Sequence, residues 1–250
     1  MIKKHFLSLV IVIFILIAGQ VRAQTTTTDN AGSDQINITR LADAYNNAIG
    51  QQSRLYNGPD YEAYSPLIKG NAYFLDVNKF IPGTVTYDGL FFKDVPMMYD
   101  LNKNVVVILL YNKFSMFTLL NERLESFDLS GHHFLNIVSD SLHTNSGIDA
   151  GIYDELYQGT NVTALAKYAK SLQTTSVGNT IESYFSSSKS FYLKKGNNYY
   201  SISGQGALLD VLKDKKKELQ QYIKANKIKY NKAPEEAMVS IARRYDELSR

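Results

Sequence analysis

The sequence predicts an α+β, mainly β, domain: an antiparallel β-meander curled into a sandwich or open barrel, with one N-terminal helix and two C-terminal helices. Three observations carry that expectation. Between residues 83 and 120, short apolar runs alternate with brief polar punctuation, the pattern of strands and turns. The run Val105-Val106-Val107-Ile108-Leu109-Leu110 contains no polar residue. A run that short and that β-branched reads as a strand buried on both faces rather than as a helix. Asp88-Gly89 separates two further apolar runs, and both residues suit the positive φ that the favoured hairpin turn requires.

The chain begins with a segment that reads as a secretory signal, residues 1–23. Lys3 and Lys4 form its positive start, residues 6–19 its apolar stretch, and Val21-Arg22-Ala23 puts small residues three and one positions before a cut. That apolar stretch is short for a membrane span, and no later segment approaches the ~20 apolar residues a span needs. The chain has no cysteine, so a lipidated N-terminal cysteine is excluded. The expected location is therefore periplasmic or extracellular, by way of a cleavable signal, with no transmembrane span left after cleavage.

Charge points the same way. The sequence holds 27 Lys and Arg against 24 Asp and Glu. Lys3, Lys4 and Arg22 belong to the signal, so the mature chain is balanced and offers no basic surface for nucleic acid or anionic membrane. Without cysteine there is no disulfide framework either. Stability has to come from burying apolar surface, and about 225 mature residues suffice for one large or two small cores.

Residues 24–37 are polar, Thr-rich and aperiodic, and read as a disordered leader. A single domain is expected from 38 to 250. Leu41, Ala44, Tyr45, Ala48 and Ile49 fall at helical spacing behind Thr39 as N-cap, predicting a helix from about 39 to about 54. Tyr56-Asn57-Gly58-Pro59 ends it, since Asn and Gly tolerate left-handed φ and Pro cannot continue a helix. Tyr61, Tyr64 and Tyr73 could form a sugar-stacking platform, but such a cluster is more often amphipathic packing at a domain rim.

Strands are expected at 72–76, 84–87, 90–92 running on to 99, 104–110, 114–120, 124–129 and 132–138. Pro96 cannot donate to a ladder, so its strand should be an edge or carry a bulge. Residues 139–150 read as a polar loop. After residues 151–158 and the Gly159-Thr160-Asn161 turn, residues 162–175 carry two signals. Leu165, Tyr168, Ala169 and Leu172 fit a helix face, while the place after a glycine turn fits the return strand of a hairpin; we read strand. Strands at 190–194 and 199–202 flank Gly196-Asn197-Asn198 and close a meander of about 72–202. Helices then occupy about 206–249. Leu208, Val211, Leu212, Leu219, Tyr222 and Ile223 repeat at helical spacing through a Lys-rich segment that reads as a solvated face. Pro234, with Glu235-Glu236 behind it, opens a last helix whose stripe is Met238, Ile241, Tyr245 and Leu248.

Tyr56-Asn57-Gly58-Pro59, the Gly83…Tyr87-Asp88-Gly89…Asp94-Val95-Pro96…Tyr99-Asp100 arrangement and the Asp210-Val211-Leu212-Lys213…Lys217-Glu218-Leu219 ending carry a resemblance. The chain resembles a family of exported, β-rich proteins of Bacteroidetes-type bacteria over most of its mature length. The resemblance implies compartment and rough length, and brings no activity and no site residue with it.

Chemistry-bearing patterns are few. His5 leaves with the signal, which leaves His132, His133 and His143. Neighbours on a strand face opposite ways, so His132 and His133 cannot both ligate one metal from regular β structure. His143 and Asp140 could join one of them, yet a zinc site would still lack ligands, and the helical two-histidine pattern is absent. There is no G-x-S-x-G elbow, Walker-type loop or dinucleotide fingerprint, and Gly204-Gln205-Gly206 reads as a strand-to-helix connection. Asp154 and Glu155 adjoin on an expected strand and point apart, the wrong arrangement for a shared glycosidic bond. The Tyr-Asp pairs at Tyr87, Tyr99, Tyr153 and Tyr245 have no fixed period. The sequence thus assigns no catalytic, cofactor-binding or metal-ligating residue and implies no cofactor. The expectation is a non-enzymatic cell-envelope protein that binds a partner protein or a lipid-like apolar ligand through its sheet. The alternative is an envelope hydrolase acting on glycan or peptide, which needs a histidine within hydrogen-bond reach of a carboxylate or serine.

Overall fold

The computed structural model describes residues 54–138, 147–178 and 180–250, with 40–41, 44–45 and 48–50 ahead of them. The expected signal and leader lie outside the described residues, as do Asp140 and His143. Residues 40–41, 44–45 and 48–49 are helical.

Ten strands make one antiparallel sheet: Ile81–Tyr87 (β1), Leu90–Asp100 (β2), Val105–Leu109 (β3), Met116–Thr118 (β4), Leu124–Leu129 (β5), His132–Ile137 (β6), Gly151–Gln158 (β7), Val162–Val177 (β8), Thr180–Lys195 (β9) and Asn198–Ser201 (β10). Their order is β10-β9-β8-β7-β6-β5-β1-β2-β3-β4, so the sheet is unclosed. The meander breaks once, where β5 pairs with β1 instead of β4. The cause is local. The outer edge of β4 is already taken by Pro59–Tyr61, through Tyr61 N–H to Met116 O (2.8 Å) and Thr118 N–H to Pro59 O (2.9 Å).

The hairpin at Asp88-Gly89 forms as expected, with φ of 53° and 72°. Val106, Val107 and Ile108 are wholly buried, with Val106 and Ile108 in one core and Val107 against Tyr61, Tyr73 and Met98 on the other face. Pro96 sits beside a bulge. Val85 pairs with Phe92 and Gly83 with Val95, leaving an extra residue on β2, where Asp94 takes φ 53°. Strand β3 pairs with β2 only from Met97 onward, so no ladder bond is asked of the Pro96 nitrogen on that side. Residues 162–175 are strand, as read.

Three expectations need correction. Residues 72–76 are not a strand: Phe74–Asp76 is a 3-10 turn in which Leu75 and Asp76 have positive φ. It is gathered by the Lys170 ammonium, which donates to Asn71 O (2.9 Å), Tyr73 O (3.0 Å) and Asp76 Oδ1 (2.5 Å). The strand expected at 190–194 starts ten residues earlier, making β9 a partner to all of β8. The first C-terminal helix is two, Gln205–Val211 (α1) and Lys216–Ala225 (α2), parted by a 3-10 turn at Lys213–Lys215. Asp214 in that turn accepts from Lys195 Nζ (2.7 Å) and Tyr245 OH (2.9 Å), which holds the break in place. Pro234–Leu248 (α3) begins at the expected proline.

Two main cores result. The first is aromatic: Phe127 stacks on Phe134 with centroids 4.6 Å apart, and Phe74 and Tyr99 meet Phe134 edge-on at 5.1 and 5.3 Å. In the second, α1, α2 and α3 bury Leu208, Leu212, Leu219, Met238 and Ile241 against Val162, Ala164 and Leu193 of the sheet. Each of those five side chains is worth about 2 kcal/mol of transfer from water, enough to hold helices this short.

The end of α3 is tied to the β7–β8 turn by Asp246, which accepts from Asn161 N–H (2.8 Å) and Tyr157 OH (3.0 Å). A Cβ on Gly159 would stand 1.5 Å from Asp246 Oδ2, whereas one on Gly89 would meet nothing within 4 Å. Gly159→Ala should therefore cost about 2 kcal/mol in urea unfolding by displacing the Asp246 carboxylate from Asn161 N–H and Tyr157 OH, and Gly89→Ala about 1 kcal/mol from its φ alone. Lys170→Met should cost about 2 kcal/mol by leaving two carbonyls without their donor; Asp76, being exposed, adds little. Equal losses for the two glycine variants would contradict the steric account.

Candidate functional site

Sheet register determines which polar side chains meet. His133 pairs with Asp128, and Phe134 with Asp154, so His132, Phe134 and Asp154 share one face while His133 takes the other. Asp154 pairs with Ala166, which brings Tyr168 to the same face, and Tyr168 pairs with Lys189. Helix α3 adds Glu235 from its first turn.

These five side chains form a continuous polar network. His132 Nδ1 lies 2.7 Å from Asp154 Oδ2, and the Tyr168 hydroxyl is 3.0 Å from the same oxygen and 2.8 Å from Glu235 Oε1. Lys189 Nζ donates to Glu235 Oε1 (2.5 Å) and lies 4.9 Å from the centre of the Tyr168 ring. Asp154 is 1% exposed. Tyr168 has one proton for two carboxylates, so it serves Asp154 or Glu235, never both at once.

The ionisation of the members diverges accordingly. Burial pushes the Asp154 carboxyl above its ordinary value, only partly offset by His132 and Tyr168. Glu235 is also raised by burial, but the Lys189 ammonium and the Tyr168 hydroxyl outweigh that and leave it below the ordinary glutamate value. Burial, then the charges of Asp154 and Glu235, push the Tyr168 phenol far upward.

The network stands at the seam between the two cores. Phe74 meets the His132 ring edge-on at 5.0 Å from the aromatic side, and α3 closes it from the other. Lys189 also lines a cleft of about 390 Å³ with Ser190, Phe191, Ile202, Tyr230 and Pro234 among its walls.

His133 belongs to a separate cross-strand group on the opposite face. Its Nδ1 is 2.6 Å from Asp128 Oδ1, and the Thr84 hydroxyl donates to Asp128 Oδ2. Burial raises Asp128, but the Thr84 and His133 hydrogen bonds prevail and hold it below the ordinary aspartate value. The two histidines therefore serve different carboxylates on different faces, as their adjacency on a strand requires. Among the described residues, no group of three or more His, Asp or Glu is placed to hold a metal ion.

Of the tyrosines singled out in the sequence, Tyr61 and Tyr64 donate to the wholly buried Asp100 (2.8 and 3.0 Å), and Tyr73 lies 3.3 Å from Tyr61. Their rings are spent on the rim, with Lys103 Nζ 4.4 Å from the Tyr61 ring centre. Asp154 and Glu155 do point apart. Tyr168 and Glu235 are read in the sequence only as parts of secondary structure and Lys189 not at all, because only the β6–β9 register and the docking of α3 bring them to His132.

What the dyad can do chemically is limited by what surrounds it. A histidine with Nδ1 on a buried carboxylate has the orientation of a general base. Yet among the described residues the His132 ring bonds only Asp154, and no serine or threonine hydroxyl among them bonds it. No protein-family model, curated protein or solved structure matches the chain. No helix among the described residues is long and apolar enough to cross a membrane.

Glu235 has a folded pKa below its unfolded one, so its bonds stabilise the fold above the unfolded value of 4.5 and are lost as pH falls through the lower folded value. Asp154, with a raised folded pKa, has the opposite sign: its contribution grows as pH falls through that value. Between about pH 5 and 3, Glu235→Gln should flatten the acid loss of stability and Asp154→Asn should steepen it, read as urea midpoints. Slopes that move together would break the assignment.

Proposed function

We propose that this is an exported cell-envelope protein, working in the periplasm or outside the cell, that binds a partner protein through its antiparallel sheet and catalyses no reaction. The sequence pattern of residues 1–23 and the absence of cysteine support the compartment. We read the sheet as an open, curled layer, since Lys170 N–H donates to Leu101 O (3.2 Å) and Leu172 N–H to Asn102 Oδ1 (3.2 Å), drawing β8 onto the β2–β3 turn.

The observation that carries the binding reading is the distal half of the β8–β9 hairpin. Residues 171–177 are exposed throughout, and Leu172, Val177, Ile181 and Tyr184 present apolar surface to water, Ile181 at 79% exposure. The pairing puts Leu172 and Ile181 on one face and Val177 and Tyr184 on the other. An arm that is apolar on two wet faces is a contact surface for another macromolecule rather than a covered part of the fold. A bound lipid is less well supported, because the aromatic core fills the face that would hold it.

A second reading, an envelope hydrolase acting on glycan or peptide, rests on the His132–Asp154 geometry alone. It requires that turnover of chromogenic ester or glycoside substrates by the purified protein disappear in His132→Gln.

The binding reading is tested by trimming the arm. Replacing residues 176–181 with Asn-Gly joins Thr175 to Glu182, a directly opposed pair, and keeps the hairpin parity. Unfolding free energy should change by about 0.5 kcal/mol or less, because the described residues among those removed are all exposed. Photocrosslinking in the native envelope from a benzoylphenylalanine placed at Tyr184 should lose its partner adduct in the trimmed protein. An unchanged adduct would remove the arm from the interface.

A further inference from the structure

We propose that the outer edge of β9 at Ser187 and Lys189 receives an extended segment of a partner protein as an added strand. This rests on the partner-binding reading and assigns its mode. The direction of the backbone is settled by bonds on both sides of the gap. Lys69 N–H donates to Ser183 O (2.9 Å), Phe185 N–H donates to Lys69 O (3.3 Å), and Ile202 N–H donates to Phe191 O (2.8 Å). Residues 183, 185 and 191 thus aim their backbone groups outward, and with period two and an unbroken register so do 187 and 189. The paired strand agrees: Lys170, opposite Ser187, sends its N–H outward to Leu101.

Among the described residues, the chain covers this edge on either side and leaves the middle open. Lys69 occupies it at 183–185 and β10 at 192–195, while Ser186 to Ser190 are exposed at every residue. An edge lysine ordinarily guards such a strand against pairing. Here it does not, because Lys189 is drawn off the edge onto the sheet face, bonded to Glu235 and lying over Tyr168. Four backbone groups, two N–H and two C=O, stand ready for about five residues of added strand. They accept only another extended backbone. Next to them the cleft walled by Ser190, Phe191, Ile202 and Tyr230 takes a side chain from that strand. An uncharged apolar or aromatic residue fits it, since Lys189 already has its counter-charge.

The test is photocrosslinking in the native envelope with benzoylphenylalanine at positions 186, 187, 188 and 190 in turn, and at Ile181 on the arm. The expected result is an adduct at the edge positions that maps to one short segment of another protein, with side-chain contacts alternating along that segment. Ser187→Pro should cut capture at least tenfold, whereas Ser187→Ala, which keeps the N–H, should not. The Ser187 N–H faces away from β8, so the proline removes no ladder bond, and unchanged amide exchange in β8 checks that the hairpin remains. The alternation needs no proline and stands as a second readout. Adducts at Ile181 with none at the edge, or capture indifferent to Ser187→Pro, would overturn the strand-addition site and leave the partner-binding reading intact. No adduct at any position would overturn both. An edge adduct to a second copy of this chain would overturn the assignment of the edge to a different protein.

Discussion

The arrangement turns on one buried ammonium. Lys170 stands on β8 where the hairpin leaves the body of the sheet, with its side chain 5% exposed. Desolvating a lysine costs several kcal/mol unless its protons are met, and here two main-chain carbonyls and one carboxylate meet them. Meeting them forces residues 71–76 into a turn with two left-handed residues, and that turn inserts Phe74 among Tyr99, Phe134 and Tyr168. The same segment bonds Leu101 through Ala72 O, beside the buried Asp100, which takes the Tyr61 and Tyr64 hydroxyls and the Asn102 and Lys103 amides. A chain without cysteine has tied its β8–β9 hairpin down by satisfying one cation, Lys170, and one anion, Asp100, which the Lys170 N–H to Leu101 O bond brings side by side.

The same logic explains why a histidine–aspartate pair here is architecture before it is chemistry. One sheet face carries an aromatic core at one end and a helix layer at the other, and neither can extend across the line where they meet. Polar side chains fill that line: Asp154 is buried there, and His132, Tyr168, Glu235 and Lys189 neutralise it and each other in sequence. Burial dominates at Asp154 and raises its carboxyl, whereas at Glu235 the Lys189 ammonium and the Tyr168 hydroxyl outweigh burial, so the two shift in opposite directions. Glu235, from the first turn of α3, thereby ties that helix to β8 and β9.

How much of this was legible in the sequence follows from which faces are wet. Strands with one dry face, such as β1, β5 and β6, announce themselves by alternation, and β3 by its unbroken apolar run. The turns at Asp88-Gly89 and Ser130-Gly131 are readable because their residue types suit positive φ. The first half of β9 was invisible: Ser183, Ser186, Ser187 and Ser188 carry no period, since neither face of the arm is buried there. The break between α1 and α2 was hidden too, because Leu208 through Ile223 keep helical spacing across it and only Asp214, bound to Lys195 and Tyr245, marks it. The seam cluster fails for a third reason. Its members lie as far as 103 positions apart in number, from His132 to Glu235, and nothing short of strand register relates them.

An exposed two-stranded arm is a costly thing to keep. An isolated hairpin in water is marginal at best, and most of the described residues beyond Phe185 and Leu172 are exposed, with little burial to offset their ordering. They also present apolar side chains and open backbone, the combination that invites unwanted pairing. Elsewhere along these edges the chain covers itself: Pro59–Tyr61 closes β4, Lys69 closes part of β9, and β10 closes the base of β9. Against that background, the open stretch at Ser187 and Lys189 and the apolar arm above it are not the leftovers of an unfinished sheet. The buried ammonium of Lys170 and the Lys189–Glu235 pair hold both in place, and what they hold is a strand edge and an apolar tip facing the same solvent.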